Sequence, residues 1–93
     1  MVIGLLSGEL FFPENHSLKD KRMLLRKITE RLKQQLNVSV AEVEHQDLWQ
    51  RSRIAVACVN TSSREANATL NEALKLLDLF HEAELVDHTF ELR

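Results

Sequence analysis

The chain has 93 residues and a formal net charge of −2, and its composition is 44% hydrophobic and 28% charged. This length holds one hydrophobic core, so we expect a single domain over residues 1–93 and no two-domain enzyme. Two glycines and one proline exclude collagen and low-complexity disorder. No apolar run approaches the ~18 residues that span a bilayer, and no basic leader precedes the first strand. With one cysteine, these features predict a cytoplasmic protein without a membrane partner.

The first third of the chain predicts a strand, a turn and an amphipathic helix. Residues from Leu6 to Phe12 alternate between two sides, as in a strand, until Pro13 removes a ladder donor. Ser17 then begins the string SLKD, in which its hydroxyl can cap a helix and Asp20 can reach back as the capping-box acid. Apolar residues follow at helical spacing: Leu18, Leu25, Ile28, Leu32 and Leu36.

The remaining chain predicts two strands, a second helix and a last strand. Val38–Val43 is a short β-branched run, and Arg53–Val59 alternates with Ile54, Val56 and Cys58 on one side. Ser62 begins a capping box completed by Glu65. Apolar residues of the second helix are Ala66, Leu70, Ala73, Leu74, Leu77 and Phe80. Residues 86–92 alternate again, which predicts the fourth strand.

The order β-α-β-β-α-β predicts an α+β fold. Two right-handed crossovers place both helices on one face of a four-stranded antiparallel sheet with the strand order 4-1-3-2. Both glycines lie in the first strand, which excludes P-loop and dinucleotide-binding loops. The third strand has no aromatic residue, so the sheet lacks the base-stacking side chains of an RNA-recognition motif.

The charge is distributed unevenly along the chain. The segment Ser17–Leu36 has seven basic and two acidic residues, so its balance is +5 and that of the rest is −7. Three cations crowd the first helical turn, where the helix dipole disfavours positive charge. This pattern predicts a phosphate-binding surface, although a solvated helix face or ion pairs with acidic loops would give the same pattern. The candidate nucleic-acid-binding residues are Lys19, Lys21, Arg22, Arg26 and Lys33.

The chain shows no pattern typical of an enzyme or a metalloprotein. Cys58 lies in an apolar alternating strand, where a thiol packs in the core rather than reacting. His45 and Asp47 follow two glutamates, but their spacing fits no standard zinc or two-metal site. We therefore expect no catalytic activity, no metal and no small-molecule cofactor.

Strand alternation predicts an apolar sheet face that neither helix covers. Its members are Ile3, Leu5 and Phe11 from the first strand and Ala55, Ala57 and Val59 from the third. Because a soluble monomer seldom exposes such a surface, we expect a symmetric homodimer or a different protein partner to cover it. Trp49 is either a cap on the end of the core, which we favour, or an exposed partner-binding residue.

Two segments of the chain resemble the YlxP-like family of small bacterial proteins, a domain of unknown function. They are SLKDKR at Ser17–Arg22 and NVSVAEVEHQDLWQRSRIAVACV at Asn37–Val59, in which AEVEHQDLWQR is the most specific string. Asp20 stands where many members have Glu. The resemblance implies a ferredoxin-like fold and no known catalytic activity. Family genes lie among genes for translation initiation and ribosome maturation, which implies a ribosome-associated role by association only.

Two hypotheses for the function remain open at this point. In the first, the protein is a non-enzymatic accessory protein that binds ribosomal RNA or the ribosome through the basic first helix. In the second, it is a homodimeric interaction or regulatory module that uses the open sheet face and binds no nucleic acid. The salt dependence of RNA binding separates them, because phosphate contacts release counterions.

Overall fold

A computed structural model describes residues 1–93 and confirms the predicted order of elements. The elements are β1 (Val2–Phe11), α1 (Leu18–Gln35), β2 (Ser39–Glu44), β3 (Arg51–Asn60), α2 (Ser63–Asp78) and β4 (Glu84–Leu92). The four strands form one antiparallel sheet in the order β2-β3-β1-β4, which is the predicted order seen from the other edge. The predicted ferredoxin-like α+β fold is therefore confirmed.

The hydrophobic core lies between the sheet and the two helices, on the side that the strand alternation predicts. In the centre of the sheet, Leu6 of β1 pairs with Val56 of β3, and both are fully buried. Further core residues from the strands are Leu10, Ile54 and Cys58. Residues from the helices complete the core: Leu24, Ile28, Leu32, Ala66, Leu70, Ala73, Leu76 and Leu77. Cys58 is a packing residue of this core, as its place in an apolar strand predicts.

Gly4 lets α2 approach the sheet closely. A Cβ atom at this position would lie 2.9 Å from the Cys58 sulfur and 3.3 Å from a methyl carbon of Leu70. Any larger residue would therefore push α2 away from β1, since a packed interior has little free volume. Gly4 therefore permits the close packing of α2 against the sheet.

Two details of the packing differ from the sequence prediction. On α1 the fully buried positions include Lys21 and Leu24, whereas Leu25 and Leu36 are only partly buried. The buried face of α1 is therefore centred closer to Lys21 than the leucine spacing suggests. On β4, Phe90 pairs with Leu6 and so lies on the helix side, yet it is exposed because β4 is an edge strand.

Both helices begin at the predicted serines. The Ser17 hydroxyl accepts a hydrogen bond from the Asp20 amide at 3.1 Å, and the Asp20 carboxylate accepts one from the His16 amide at 3.0 Å. The Ser62 hydroxyl accepts a hydrogen bond from the Glu65 amide at 3.2 Å. The caps satisfy amides that the helices themselves leave without a partner. Neither helix has the length and apolar content needed to cross a bilayer.

Replacing Ser17 tests how much the capping hydrogen bond of α1 contributes to the stability of the fold. Ser17→Ala removes the acceptor for the Asp20 amide, so we expect the free energy of unfolding to fall by about 1 kcal/mol. Urea denaturation followed by circular dichroism measures the change. Ser63→Ala is the matched control, because this exposed serine at the start of α2 is not the cap. A loss of less than a few tenths of a kcal/mol at Ser17 would contradict the role of the cap.

Candidate functional site

Four cations lie along the exposed flank of α1, with one acidic residue, Glu30, on the same flank between Arg26 and Lys33. Lys19, Arg22, Arg26 and Lys33 are all exposed, and at ~100° per residue they fall within about 60° of one another around the helix axis. We call these four residues the basic stripe. A shallow depression with a volume of about 640 Å³ lies along the same flank, and its lining residues are Arg22, Leu25, Arg26, Thr29, Glu30, Lys33 and Gln34.

No member of the basic stripe has a carboxylate within 4.0 Å, whereas half of the twelve lysines and arginines of the chain do. Lys27, on the opposite flank of α1, pairs with Glu82 at 3.1 Å. Arg31 lies over the ring of Phe80 with its guanidinium carbon 5.9 Å from the ring centroid. Glu42 and Glu82 thus pair with Lys21 and Lys27, and the four stripe cations have no ion-pair partner, although the unpaired Glu30 lies on the same flank.

Lys21 does not belong to the exposed cations, and its assignment as a phosphate-binding residue is wrong. Its side chain is 1% exposed, and its ammonium group lies 2.9 Å from the Glu42 carboxylate. The same ammonium donates to the backbone carbonyls of His45 at 2.7 Å, Gln46 at 3.4 Å and Arg51 at 3.2 Å. The physical reason is its position on the helix: residue 21 precedes Leu24 and Ile28 by three and seven positions, so it shares their buried face.

Glu42 completes this buried ion pair from the sheet. It pairs with Ile54 across β2 and β3 and so lies on the helix side of the sheet. Its carboxylate also accepts a hydrogen bond of 2.7 Å from the hydroxyl of Ser52, which is fully buried. The sequence signal for this contact is an acid at an inward position of β2, next to the inward Val40, and sequence reasoning missed it.

The open sheet face contains the six predicted residues, and all of them lie opposite the helices. Ile3 is 38% exposed and Val59 is 62% exposed, and these two residues pair across β1 and β3. The others, Leu5, Phe11, Ala55 and Ala57, are partly buried. Phe11 lies at the far end of β1, where the guanidinium of Arg51 covers its ring at 5.5 Å. The apolar surface is therefore concentrated at the Ile3 end of the face.

A cluster of charged residues occupies the other end of the open sheet face. The Glu9 carboxylate lies 3.2 Å from Arg53, 3.4 Å from Arg51 and 3.1 Å from the His45 imidazole. Arg53 also donates to the Ser7 hydroxyl at 3.0 Å. Sequence reasoning did not find this cluster, because Glu9 is more than thirty positions from His45, Arg51 and Arg53, and the pairing of β1 with β3 brings it beside the two arginines.

The cluster determines the charge state of Glu9. Burial by itself raises the pKa of its carboxyl group, but hydrogen bonds from Arg53 and Arg51 and the positive charge of His45 outweigh this effect. The pKa is therefore lowered from its ordinary value. A lowered carboxyl pKa stabilises the fold at neutral pH, and this contribution is lost as the pH falls through the pKa of the folded state.

Trp49 is exposed, so its favoured interpretation as a core cap is wrong. Its side chain is 52% exposed and that of its neighbour Leu48 is 44% exposed. Both lie in the loop between β2 and β3 and not on a strand of the open sheet face. The loop contains a turn at His45, which has a positive φ of 67° and whose carbonyl accepts a hydrogen bond from the Leu48 amide at 3.0 Å.

The acidic and histidine residues of the β2–β3 segment do not come together as a metal site. No group of three or more His, Cys, Asp or Glu side chains is arranged to hold a metal ion. Glu42 and His45 instead contact Lys21 and Glu9, respectively. Cys58 is buried and accepts a hydrogen bond from the Asn60 amide group at 3.4 Å.

Removal of the Lys21 ammonium tests the buried ion pair. Lys21→Ala leaves the Glu42 carboxylate and three carbonyls without their common donor, so we expect a loss of about 3 kcal/mol in the free energy of unfolding. Lys19→Ala, in the same helical turn but exposed, is the control and should change stability by less than ~0.5 kcal/mol. Urea denaturation of both variants makes the comparison. Equal losses would mean that Lys21 contributes no more than a surface lysine.

Comparisons with known proteins identify the family of this chain. Residues 3–90 match the family model described as "Protein of unknown function (DUF503)". The chain is 35% identical over 83 residues to the uncharacterized protein YlxP of Bacillus subtilis (strain 168), covering 89% of this chain and 90% of that protein. A crystal structure of a dimeric ferredoxin-like protein from an uncultured marine organism aligns with a TM-score of 0.46 at 15% identity, covering 100% and 94% of the two chains. The chain therefore belongs to the DUF503 family.

Proposed function

We propose that this protein is a cytoplasmic, non-enzymatic accessory protein that binds structured RNA, with ribosomal RNA as the first RNA to test. The observation that carries the proposal is the basic stripe, whose four cations have no carboxylate partner. Lysine and arginine side chains arranged in this way neutralise phosphates and release counterions. The gene neighbourhood that the family resemblance implies is the reason for testing the ribosome before other RNA.

The dimensions of the stripe suit a nucleic-acid backbone. Lys19 and Lys33 are fourteen positions apart, which is about 21 Å along the helix axis at 1.5 Å per residue. A strand of such length presents several consecutive phosphates, and the stripe follows a straight line on one flank. The contacts are with phosphates only, so they would give affinity and orientation rather than sequence selectivity.

Loss of the stripe cations should weaken RNA binding without affecting the fold. In the variant Lys19→Gln, Arg22→Gln, Arg26→Gln, we expect lower affinity for ribosomes and a shallower dependence of log affinity on log salt, by roughly two to three units of slope. Stability should change little, because these exposed charges form no ion pair. Filter binding over a range of salt concentrations measures the slope.

The control for this experiment removes the same number of cations elsewhere. Arg31→Gln, Arg64→Gln, Lys75→Gln changes the net charge equally but leaves the basic stripe intact. If the two triple variants lose the same affinity, overall charge and not the stripe is responsible. Unchanged binding of the stripe variant at low salt would refute the proposal.

A second candidate function is a protein-interaction module that is a homodimer through the open sheet face. The observation that favours it is the exposed apolar pair Ile3 and Val59 beside Leu5, on a side of the sheet that has no helix. Burying this surface against a second copy would remove apolar area from water on both protomers. The two functions use opposite sides of the sheet, so they are compatible.

A charge in the apolar end of the open sheet face tests the dimer. Leu5→Glu places a carboxylate between Ile3 and Ala57 on this face, so we expect a dimeric wild type to become a monomer that remains folded. Analytical ultracentrifugation measures the mass, and circular dichroism checks the fold. Asn67→Glu, which adds the same charge on the exposed side of α2, should leave the dimer intact. A wild type that is monomeric at micromolar concentrations would refute the homodimer.

A further inference from the structure

We propose that Trp49 is a stacking surface for an unpaired RNA base, next to the phosphate contacts of the basic stripe. This inference rests on the proposed RNA binding and extends it, because it names the class of RNA that the protein prefers. The preferred ligand is an RNA in which a single-stranded nucleotide follows a structured segment. Three observations carry the inference: the exposure of the indole, the fixation of its loop and the position of the loop beside α1.

The exposure of Trp49 is unusual among the aromatic residues of this protein. Phe12 and Phe80 are buried in the core, and Phe11 lies under the Arg51 guanidinium. Phe90 is on the edge strand β4, at the sheet edge farthest from β2. Trp49, at 52% exposed, is thus the large aromatic surface available at the β2–β3 end of the molecule. An indole exposed to water is a ready partner for the face of a base.

The loop that bears Trp49 is fixed by hydrogen bonds on both sides of the indole. The Asn15 amide donates to the carbonyl of Trp49 at 3.3 Å. The Gln50 amide donates to the carbonyls of Asn15 at 3.1 Å and Pro13 at 3.4 Å. These bonds join the β2–β3 loop to the β1–α1 loop. A backbone held in this way loses little further entropy when the side chain binds a ligand.

The same contacts place the loop against the first turn of α1. Lys21, in that turn, donates to the carbonyls of His45, Gln46 and Arg51, which lie on either side of Trp49 in the chain. Lys19 and Arg22 are next to Lys21 in the same turn, are exposed and have no carboxylate partner. The loop that bears Trp49 therefore lies at the N-terminal end of α1, which is also the end of the helix that carries Lys19 and Arg22.

The combination of exposed cations and one exposed aromatic side chain favours an unpaired RNA base as the ligand, rather than an RNA duplex or an apolar pocket of a protein. In a continuous duplex the faces of the bases are covered by their neighbours, so an indole has nothing to stack on. An apolar pocket on a protein would accept Trp49 and Leu48 together but would not require the adjacent unpaired cations. Base–aromatic stacking combined with backbone phosphate contacts is the usual means of binding a single strand without sequence readout.

The experiment uses the intrinsic fluorescence of the protein, which has one tryptophan and no tyrosine. The full chain is titrated with a short blunt RNA duplex and with the same duplex carrying a single-stranded adenosine overhang. We expect the overhang to quench Trp49 emission and the blunt duplex to leave it nearly unchanged. Filter binding of both RNAs gives affinities that do not depend on the fluorophore.

Three variants separate the stacking of a base on Trp49 from apolar packing of the loop. Trp49→Ala should weaken binding of the overhang RNA by about five- to one-hundred-fold, the range for loss of one stacked base. It should leave the blunt duplex within about twofold. Trp49→Phe should restore part of the affinity, since a phenyl ring also stacks. Leu48→Ala is the matched control, because it truncates the neighbouring exposed side chain of the same loop, and it should have no effect on either RNA.

Each possible result supports or refutes the stacking of an RNA base on Trp49. Quenching by the overhang together with a selective loss in Trp49→Ala supports it. If both RNAs bind with the salt dependence of phosphate contacts but neither quenches Trp49, the stacking surface is refuted and the RNA-binding function stands. If neither RNA binds at low salt, the proposed function fails with it. An equal loss in Leu48→Ala and Trp49→Ala would assign the pair to apolar packing, as in an anchor for a protein partner, and would also refute stacking.

Discussion

The contact between Lys21 and the end of the sheet determines the arrangement of the surfaces on which function could depend. One ammonium group binds the Glu42 carboxylate and three backbone carbonyls, so it connects the first turn of α1 with β2, with the β2–β3 loop and with the start of β3. A buried ammonium is costly unless all its protons are satisfied, and here it has enough acceptors. Helix α1 and the loop are therefore held in one relative position, and both the direction of the basic stripe and the place of Trp49 follow from it.

Features that depend on neighbouring residues are predicted from the sequence, whereas contacts between residues far apart in the chain are not. Strand alternation, helical spacing and the capping serines are local patterns, and the structure confirms the order of elements and both caps. Lys21 was grouped with its basic neighbours because lysine is seldom buried. Its acceptors are 21 to 30 positions away and include backbone carbonyls, which carry no sequence signal. A lysine at a core position of the helical wheel is nevertheless a signal that could have been used.

The candidate surfaces also include features that local patterns predict and features that only the folded chain reveals. The six apolar residues of the open sheet face follow from alternation, since two neighbouring strands in register must point them the same way. The Glu9 cluster at the other end of that face depends on the pairing of Glu9 with Arg53, which is known only when the register is known. Trp49 was misplaced for a different reason. A tryptophan is buried on average, and only the folded chain shows that Trp49 is exposed in the β2–β3 loop.

The distribution of charge distinguishes the helix side of the molecule from the open sheet face. The carboxylates of Glu9, Glu42 and Glu82 are engaged by Arg53, Lys21 and Lys27, respectively, so they do not reach the basic stripe. A polyanion would consequently approach from the helix side, since the remainder of the chain is acidic in balance and repels it. In the proposed RNA complex, the open sheet face would point away from the RNA and would stay available. If two copies associate through this face, the two stripes lie on opposite outer surfaces, and simultaneous contact with two RNA segments would raise the apparent affinity without any new contact.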